Sequence, residues 1–580
     1  ADGTKAEAWA GRTKVGNKVE NNNLTVTGGS LGAAAYGGLV ENNKVGVTTG
    51  DAEKNTIAIS GGTVTNAYGA EVRTKAGRAT ENTAEITGGT VTGDVHGAAL
   101  TAAGATGSIT KSVVNISTGA SVTGDVYGGR ITDAGATGSV TGSTLNLTGG
   151  TVNGTIYAAH TNGTGDSKDN TVNITGGTLH DVYGGFANGM GMTTGNTVNL
   201  GTDTTAFAAT VGTIHGGNQT DVTGNTLNVN SRNAGATDVK NFENVNFDVA
   251  HNVSHGDTML TLTNGANTSI DWSKMQLKNL DTITASPTSD HILTLLDSAN
   301  DITFTNYDPA RARQTKKDGD YEYVLNTDSE TATAKKVDVT GYRFANNHTA
   351  IATNANEAWG GRSKVGNTVE KNSLDVTGGT ITAAAYAGLA QNLEAGDGVD
   401  GYKKTGDAAE NTLTLNSGAT IADGYGADVR TEAGNATGNI IDLKGANVTG
   451  NLYGGALTHS NASGAATQNT VNLYSGSVTG DVYGGFANGN GKTTGNTITI
   501  GDGTNDANVT VTGKLSGGNK ADTDNVLNLK SKGAQVGSLE NFGKITWSLG
   551  SNLTDGDTVL TLNQDTTLTY STIEKPAGAD

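Results

Sequence analysis

The stretch NTVNITGGTLHDVYGG, from Asn170 to Gly185, contains the central part of one structural repeat. Val172 and Ile174 alternate with polar residues, which is typical of a strand with one buried and one exposed face. The pair Gly176–Gly177 predicts a corner, because glycine accepts positive φ angles that side chains resist. Tyr183 and the two glycines after it predict another corner. The stretch lacks the period of a helix, so it predicts one coil of a parallel β-solenoid.

This repeat recurs along the chain with steps of 26 to 32 residues. A fixed period in this range indicates stacked structural units. The aromatic position is occupied by Trp9, Tyr36, Tyr68, His96, Tyr127, Tyr157, Tyr183 and His215. A polar position just before the first strand is occupied by Asn23, Asn55, Asn82, Ser112, Ser143, Asn170, Asn196 and Asn225. Because every unit shares this polar position, we expect a ladder of side-chain hydrogen bonds rather than a ligand site.

A second series of repeats follows the first. DVYGGFANGMGMTTGNT at Asp181–Thr197 returns as DVYGGFANGNGKTTGNT at Asp481–Thr497, with two differences. The aromatic position continues at Trp359, Tyr386, Tyr425, Tyr453 and Tyr483. The offset between the copies rises from 350 to 357 residues, which predicts a seven-residue insertion near Glu394–Lys404, and then falls to 300. Since this fall corresponds to about two units, we predict a first solenoid of about eight units and a second of about six.

Both series end in similar sequences that are richer in aromatic and aliphatic residues. NFENVNFDV at Asn241–Val249 matches NFGKITWSL at Asn541–Leu549, and GDTMLTL at Gly256–Leu262 matches GDTVLTL at Gly556–Leu562. Such segments are typical of caps, which close the open end of a stacked sheet. The strand-like but non-repeating sequence between residues 264 and 349 favours a small β-hairpin module.

The sequence therefore predicts an all-β fold: two tandem right-handed parallel β-helices (β-solenoids) joined by a small β-hairpin module. The expected domains are a first solenoid at 1–240, a cap and β-hairpin linker module at 241–349, a second solenoid at 350–540 and a second, truncated cap at 541–580. The chain has three prolines, all outside the repeats. Their placement favours continuous strands, because proline cannot donate a hydrogen bond to a sheet.

Composition excludes several functional classes. Cysteine is absent, so disulfides and cysteine-ligated metals are excluded. The 37 basic and 56 acidic side chains give a net charge of −19, which argues against nucleic acid and anionic membrane as partners. No apolar run approaches the roughly 18 residues that would span a bilayer as a helix. The chain starts with Ala-Asp-Gly, which is consistent with a removed signal peptide.

Units in which NTVNITGG is followed by DVYGG and TTGNT resemble the passenger regions of type V autotransporters, which are surface proteins of Gram-negative bacteria. The closing sequences between Asn241 and Leu262 resemble the end of such a passenger, before an outer-membrane β-barrel. The resemblance covers nearly the whole chain. It implies a β-helical protein that is exported through the outer membrane to the cell surface or the extracellular space. It also implies membrane contact only through a C-terminal barrel, which this chain lacks. The tandem solenoids depart from the family's pattern.

The sequence contains no H-E-x-x-H motif, and its single G-x-S-x-G match, GGSLG at Gly28–Gly32, falls in a glycine corner of the repeat, so we predict that the protein is not an enzyme. Asp94, Asp125 and Asp181 share one column, two residues before the aromatic position. We interpret them as corner residues that accept backbone hydrogen bonds, and a Ca²⁺ site is the alternative. The acidic loop GDGVDG at Gly396–Gly401 lacks the EF-hand spacing and is interpreted as a solvated loop. No other cofactor or metal is expected.

Phe186, Met190 and Met192 are the candidate binding residues. They lie in and near a segment that is predicted to project from the coil, and the second copy has Asn490 and Lys492 in place of the two methionines. Binding sites commonly lie on loops carried by a rigid scaffold, and methionine adapts to varied contacts. The alternative is that these side chains pack against the neighbouring loop.

The aromatic column has two interpretations. The tyrosines either pack into the solenoid, which the adjacent glycines favour, or form an exposed platform for sugar rings. Many passengers of the resembled family are adhesins or self-associating proteins. The sequence thus favours a surface adhesin that binds a host cell-surface protein, matrix or glycan, or associates with itself, through many weak polar contacts. The alternatives are a polysaccharide-processing enzyme on the same scaffold and a passive structural stalk.

Overall fold

The structure is a computed structural model of the chain. It describes residues 2–3, 6–43, 46–249, 253–282, 285–308, 315–318, 321–329, 331–344, 346–392, 405–521, 524–548, 550, 553–568 and 573–574. The insertion predicted near Glu394–Lys404 lies outside the described residues, and so does the acidic loop Gly396–Gly401 within it. Parts of the predicted second cap also lie outside them.

The chain forms two compact units. Unit 1 comprises Ala1–Ile283, Ile292–Ala312 and Leu325–Val339, and unit 2 comprises Thr284–His291, Arg313–Val324 and Thr340–Asp580. The described residues are nearly all β, and their strands stack in parallel as a β-solenoid of about 17 turns. The prediction of an all-β parallel solenoid is confirmed. The division into two tandem right-handed solenoids and the domain limits stay predictions.

The coils of unit 1 contribute to four stacked sets of strands. The amide face is named for its outward asparagines and contains Asn23–Val26, Thr56–Ile59, Thr83–Ile86, Val113–Ile116, Thr144–Val152, Thr171–Leu179, Thr197–Leu200, Thr226–Val229, Asn244–Asp248 and Met275–Lys278. The corner strands follow the glycine corners and are Asp2–Gly3, Ser30–Leu31, Thr63–Val64, Gly89–Val91, Ala120–Val122 and Ala208–Val211. Two strands of the amide face, Thr144–Val152 and Thr171–Leu179, continue into the corner set.

The other two sets complete the coil. The aromatic face contains Ala8–Thr13, Ala35–Val40, Ala67–Val72, Val95–Leu100, Val126–Ile131, Ile156–Thr161, Val182–Tyr183, Phe186–Ala187, Ile214–His215 and Val239–Lys240. The closing strands are Val19–Glu20, Ala52–Glu53, Ala79–Thr80, Ile109–Thr110, Val140–Thr141 and Ser167–Lys168.

The end of the repeats in unit 1 is built from further strands and two short helical turns. The strands are Ala234–Ala236, Thr258–Leu262, Ser269–Asp271 and His291–Thr305. The 3-10 turns are Trp272–Lys274 and Leu280–Thr282. Asp271 caps the first turn, because its carboxylate accepts the backbone N–H of Ser273. Trp272 and Phe247 are fully buried here, as a cap that covers a sheet end requires.

Unit 2 repeats the arrangement. Its amide-face strands are Thr349–Ala352, Ser373–Val376, Thr412–Asn416, Ile440–Val448, Thr470–Val478, Thr497–Ile500, Val526–Leu529 and Lys544–Trp547. Its aromatic-face strands are Ala355–Ser363, Gly379–Gln391, Ala419–Arg430, Leu452–Leu457, Val482–Ala487, Asn508–Gly518 and Ala534–Glu540. Its closing strands are Val369–Glu370, Ala408–Ala409, Ala436–Thr437 and Ala466–Thr467.

Four further strands of the described residues lie outside the repeating sets: Thr315–Asp318, Tyr321–Thr327, Thr333–Arg343 and Leu560–Leu562. Thr315–Asp318 pairs antiparallel with residues 321–324 of the next strand. This pairing is a β-hairpin at the place where the sequence predicts one.

Like residues lie beside like residues along each stack. On the amide face Thr171, Val172 and Asn173 pair with Thr197, Val198 and Asn199 of the next coil. The aliphatic side chains at the inward positions of this face, such as Val172 and Ile174, are buried. Because each buried aliphatic side chain contributes about 1.5–3 kcal/mol, the repeated inward columns supply most of the stability. The strand Thr171–Leu179 runs through the predicted glycine corner, and Gly177 has there the positive φ, 109°, that the sequence predicts.

At its asparagine positions from Asn55 onward, the polar column before the first strand forms the predicted ladder inside the coil. In the first coil the ladder residue is the half-buried Asn22, which donates to Asn55 Oδ1 at 2.8 Å, and not the predicted Asn23, which lies exposed in the strand. Asn55 Nδ2 donates to Asn82 Oδ1 at 3.0 Å, and Asn170 Nδ2 donates to Asn196 Oδ1 at 3.0 Å. In unit 2 the ladder joins Asn372, Asn411, Asn439, Asn469, Asn496 and Asn525. From Asn55 onward, these ladder asparagines are buried. The ladder therefore satisfies interior polar groups and supports the coil.

Candidate functional site

The outer surface of the amide face in unit 1 carries a continuous row of asparagines. The row joins Asn115, Asn146, Asn173, Asn199, Asn228 and Asn246, which lie in register on neighbouring strands. Each Nδ2 donates to the Oδ1 of the preceding asparagine at 2.7 or 2.8 Å. Apart from Asn246, which is buried, these side chains are half-buried. The bonds fix the amide orientations, so the face presents a regular series of donors and acceptors.

A row of threonines lies beside the asparagines. It contains Thr56, Thr83, Thr144, Thr171, Thr197 and Thr226, with Val113 in place of a threonine between the second and third. Neighbouring strands lie about 4.8 Å apart, and residues two apart in a strand lie about 6.6 Å apart. The two rows thus form a regular surface of hydroxyl and amide groups. The signal for this surface is the pattern Thr-x-Asn in successive strands, to which the sequence analysis assigned no functional role.

A polar groove of about 590 Å³ opens on the amide face where the asparagine row meets the cap. Asn173, Asn199 and Asn230 contribute amides to the groove, and Asp203 and Asp248 contribute carboxylates. Asn173 and Asn199 lie in strands of the amide face and Asn230 directly follows one, whereas Asp203 lies in the segment after the strand Thr197–Leu200. The groove lies between that segment and the cap, alongside the asparagine row.

The side chains of the groove suit a ligand rich in hydroxyl or amino groups. Asn279 Nδ2 donates to Asp248 Oδ1 at 2.6 Å, which holds that carboxylate in place. Carboxylates accept hydrogen bonds, and amides both donate and accept them. A sugar hydroxyl, which also donates and accepts, is complementary to such a lining. Sequence reasoning missed the groove, because its residues are spread over about a hundred positions and meet only through the coil register.

The aromatic position forms a stack of rings in each unit. In unit 1 the centroids of Tyr36, Tyr68, His96, Tyr127, Tyr157, Tyr183 and His215 lie 4.1 to 5.3 Å apart, and the planes are within 16° of parallel. In unit 2 Tyr386, Tyr425, Tyr453 and Tyr483 stack in the same way at 4.8 to 5.4 Å. Each ring covers the face of the next one. The stacked rings therefore pack against one another instead of offering their faces to sugars.

Burial makes the stack prefer uncharged side chains. It raises the pKa of Tyr68 and Tyr453 to about 12. It also lowers the pKa of His215, and of His160 beside the stack, to about 4. Neutral histidines can replace tyrosines in this environment without placing a charge inside the solenoid wall.

Charged residues flank the stack at its outer edge. The Arg130 guanidinium lies 4.2 Å from the ring centroid of Tyr127, and its Nη1 lies 3.1 Å from Asp94 Oδ2. Arg73 pairs with Glu41 and Glu71 at 2.7 Å each. These pairs neutralise one another, so the aromatic face carries little unpaired charge where they lie.

The three predicted binding residues occupy two different environments. Phe186 is half-buried, and its ring stacks on His160 at 5.0 Å and packs edge-on against two stacked tyrosines. Met190 is 87% exposed and Met192 is 43% exposed. The Met192 N–H donates to Asp166 Oδ1 at 2.8 Å, which ties the loop backbone to the preceding coil. Phe186 thus belongs to the aromatic face, whereas the two methionines face solvent. Binding at these residues stays a prediction.

The aspartate column before the aromatic position accepts backbone hydrogen bonds from the next coil. Asp94 Oδ1 accepts the N–H of Asp125 at 3.0 Å. Asp125 Oδ1 accepts the N–H of Thr155 at 2.8 Å, and Asp181 Oδ1 accepts that of Thr213 at 2.7 Å. These contacts are the ones that the corner interpretation predicts. Within the described ranges, no group of three or more His, Cys, Asp or Glu side chains is placed to share a metal ion.

No protein-family model, curated protein or solved structure matches this chain. In the part of the chain that the structure describes, no helix has the length and apolar character needed to cross a bilayer.

Proposed function

We propose that this chain is the exported passenger region of a type V autotransporter and acts as an adhesin at the bacterial cell surface. The sequence resemblance and the parallel β-solenoid support the assignment. The observation that carries the adhesive role is the amide face of unit 1, where threonine hydroxyls and asparagine amides repeat in register from coil to coil.

The proposed ligand is a neutral or cationic glycan of a host surface. Its hydroxyl groups would exchange hydrogen bonds with the threonine and asparagine rows, each contact contributing about 0.5–1.5 kcal/mol. Because the row amides are already held by their neighbours, little side-chain freedom is lost on binding. Because these hydrogen bonds repeat along the face, many weak contacts together give the affinity that adhesion needs. The net charge of −19 disfavours polyanionic ligands.

Within the amide face, the groove is the place that should discriminate most strongly between ligands. Asp203, Asp248 and Asn230 surround a volume large enough for one or two sugar rings. A saccharide unit seated there would contact carboxylates in addition to the amides of the row. The proposal therefore has two parts: a groove that selects the ligand and an extended row that strengthens attachment.

An array of host glycans and host proteins, probed with the whole chain, tests the proposal. We expect binding to neutral or amino-sugar glycans, weakened by Asp203→Asn together with Asp248→Asn. Asp301→Asn, on an exposed strand of unit 1, serves as the matched control and should leave binding unchanged.

The same glycans should be checked for cleavage over time. Turnover that either groove substitution abolishes would replace the adhesin by the alternative, a polysaccharide-processing enzyme on the same scaffold. Absence of binding to every glycan and protein would favour the passive stalk.

A further inference from the structure

The first coils of the two units share one sequence. Ala8–Asn17, AWAGRTKVGN, matches Ala358–Asn367, AWGGRSKVGN, at all but two positions. In both units the strand that carries this tryptophan is the end strand of the aromatic face, and it pairs with the strand of the next coil. An end strand leaves one row of backbone N–H and C=O groups without a strand partner.

In unit 2 a separate segment of the chain covers this edge. The Trp359 N–H donates to the Pro287 carbonyl at 2.8 Å. Arg362 Nη2 lies 2.6 and 2.7 Å from the two carboxylate oxygens of Asp290, and Lys364 Nζ lies 2.7 Å from one of them. Under this cover Trp359 is only 7% exposed.

In unit 1 the tryptophan and the lysine of this copy are open to solvent. Trp9 is 42% exposed and Val15 is 49% exposed, and Lys14 is also exposed. The Arg12 guanidinium lies 4.5 Å from the Trp9 ring centroid, much as the equivalent arginine of unit 2 lies over its tryptophan at 3.9 Å. The open edge therefore already holds the side-chain arrangement that receives a peptide segment in unit 2.

One sequence difference between the two copies changes the charge beside the arginine. Glu41 of unit 1 stands where unit 2 has Gln391. Glu41 pairs with Arg12 at 2.6 Å and with Arg73 at 2.7 Å. In unit 2 the carboxylate comes instead from the covering segment. A carboxylate that reaches the open edge would contact Lys14 and share Arg12 with Glu41, so Glu41 should weaken the binding without preventing it.

We infer that Ala8–Asn17, the docking edge of unit 1, binds a segment of a second polypeptide with the chemistry of Ser286–Asp290. Such a segment presents a backbone carbonyl to the Trp9 N–H and, three residues later, a carboxylate to Lys14 and Arg12. The inference rests on the covered copy in the same chain and is independent of the proposed adhesive function, since the docking edge belongs to the aromatic face.

A synthetic peptide with residues 285–291, ASPTSDH, is the probe. Unit 2 is occupied by its own copy of this segment, so peptide added to the whole chain reports on unit 1. Trp272 and Trp359 are buried and Trp547 is half-buried, which makes Trp9 the fluorophore most sensitive to a new cover. We expect saturable one-to-one binding with a blue shift of tryptophan emission. A peptide with Asp290→Asn should bind about tenfold more weakly, because it lacks the charge for Lys14 and Arg12.

Three substitutions in the chain sharpen the test. Trp9→Ala and Lys14→Ala should each weaken peptide binding at least about tenfold by calorimetry, and Glu41→Gln should strengthen it several-fold. Lys18→Ala removes an exposed lysine nearby and should change nothing. Lys14 is exposed, so its variant keeps the inference testable even if Trp9→Ala lowers the melting temperature.

Two results would overturn the inference. One is an absence of saturable binding, or binding that neither Trp9→Ala nor Lys14→Ala weakens. The other is self-association of the chain that depends on Trp9 but is not competed by the peptide, because the edge would then receive a different kind of partner.

Discussion

Ser112 and Ser143 interrupt the buried asparagine ladder of unit 1. Their hydroxyl oxygens are buried and have no hydrogen-bond partner. Asparagine occupies the same position in the coils on either side, at Asn82 and Asn170, and is fully buried there. The shorter serine side chain does not reach the next rung, so two polar groups stay unsatisfied in the interior.

Completing the ladder should stabilise unit 1. We expect Ser112→Asn together with Ser143→Asn to raise the free energy of unfolding by about 1 kcal/mol for each hydrogen bond restored. Urea denaturation followed by circular dichroism measures the change, with Asn196→Ser as the reverse variant that should lower stability. A double variant that unfolds at lower urea than the parent chain would show that the coil cannot accept asparagine at these rungs.

His160, which is buried, and His215, which is half-buried, make stability depend on pH. Burial lowers the pKa of His160 and His215 to about 4. The positive charge of Arg130 lowers the pKa of His160 further, whereas Asp125 favours its charged form. Lys240 likewise lowers the pKa of His215 further. The carboxylates of Asp181 and Asp238 favour the charged form of His215. In an unfolded chain both pKa values would return to about 6.5. Below that pH the unfolded state binds protons that the folded state does not, so stability falls between about pH 6.5 and pH 4.

Replacing each histidine by the aromatic residue beside it in register should remove this loss of stability at low pH. Phe186 follows His160 in register, and Tyr183 precedes His215, so we expect His160→Phe with His215→Tyr to fold. Between pH 7 and pH 4 the variant should lose a few kcal/mol less than the parent chain, since one pKa unit corresponds to about 1.4 kcal/mol. Urea midpoints at several pH values measure this, and parallel curves for the two proteins would contradict it.

At the scale of the element, the coil register is the property on which the candidate site depends. The rows of the amide face exist because equivalent residues of successive strands pair directly, for example Thr171 with Thr197 and Thr197 with Thr226. A slip of one residue would turn every outward asparagine inward. The register therefore decides whether the face presents amides or aliphatic side chains.

The absence of cysteine makes this register directly testable. Thr171→Cys with Thr197→Cys places two thiols on adjacent strands about 4.8 Å apart, within the Cα separation that a disulfide requires. Thr171→Cys with Thr226→Cys places them two strands apart, at about 9.6 Å, which is too far. We expect mild oxidation to cross-link the first pair and not the second, as measured by mass spectrometry. Equal cross-linking of both pairs would contradict the register.

The sequence predicted the coil because its information is local. Val172 and Ile174 alternate with polar neighbours, and the polar position of Asn170 recurs in every coil as Asn or Ser, so strand, inward face and ladder follow from short windows. The groove does not follow, because Asn173, Asp203 and Asp248 meet only through the three-dimensional stacking. Trp9 and Trp359 show the same limit. Their surrounding sequences are nearly identical, but Trp359 is less exposed because a segment distant in the sequence covers it.

At the scale of the whole molecule, the proposed function depends on repetition rather than on one indispensable residue. The described coils provide the same hydroxyl and amide groups many times, and each contact with a ligand is weak. Loss of one contact should then matter little, whereas loss of several adjacent contacts should matter greatly. An enzyme has the opposite behaviour, because one catalytic group carries several kcal/mol.

The most direct measurement is the affinity of the whole chain for its best array glycan in variants of the amide face. We predict that Asn173→Ala alone changes the dissociation constant by about twofold or less. Asn146→Ala, Asn173→Ala and Asn199→Ala combined should weaken binding at least about tenfold. The matched control, Thr80→Ala with Thr110→Ala and Thr141→Ala, changes three outward residues of the closing strands and should leave affinity unchanged at equal melting temperature. Binding that a single asparagine substitution abolishes, or that the triple amide-face variant leaves intact, would contradict the account.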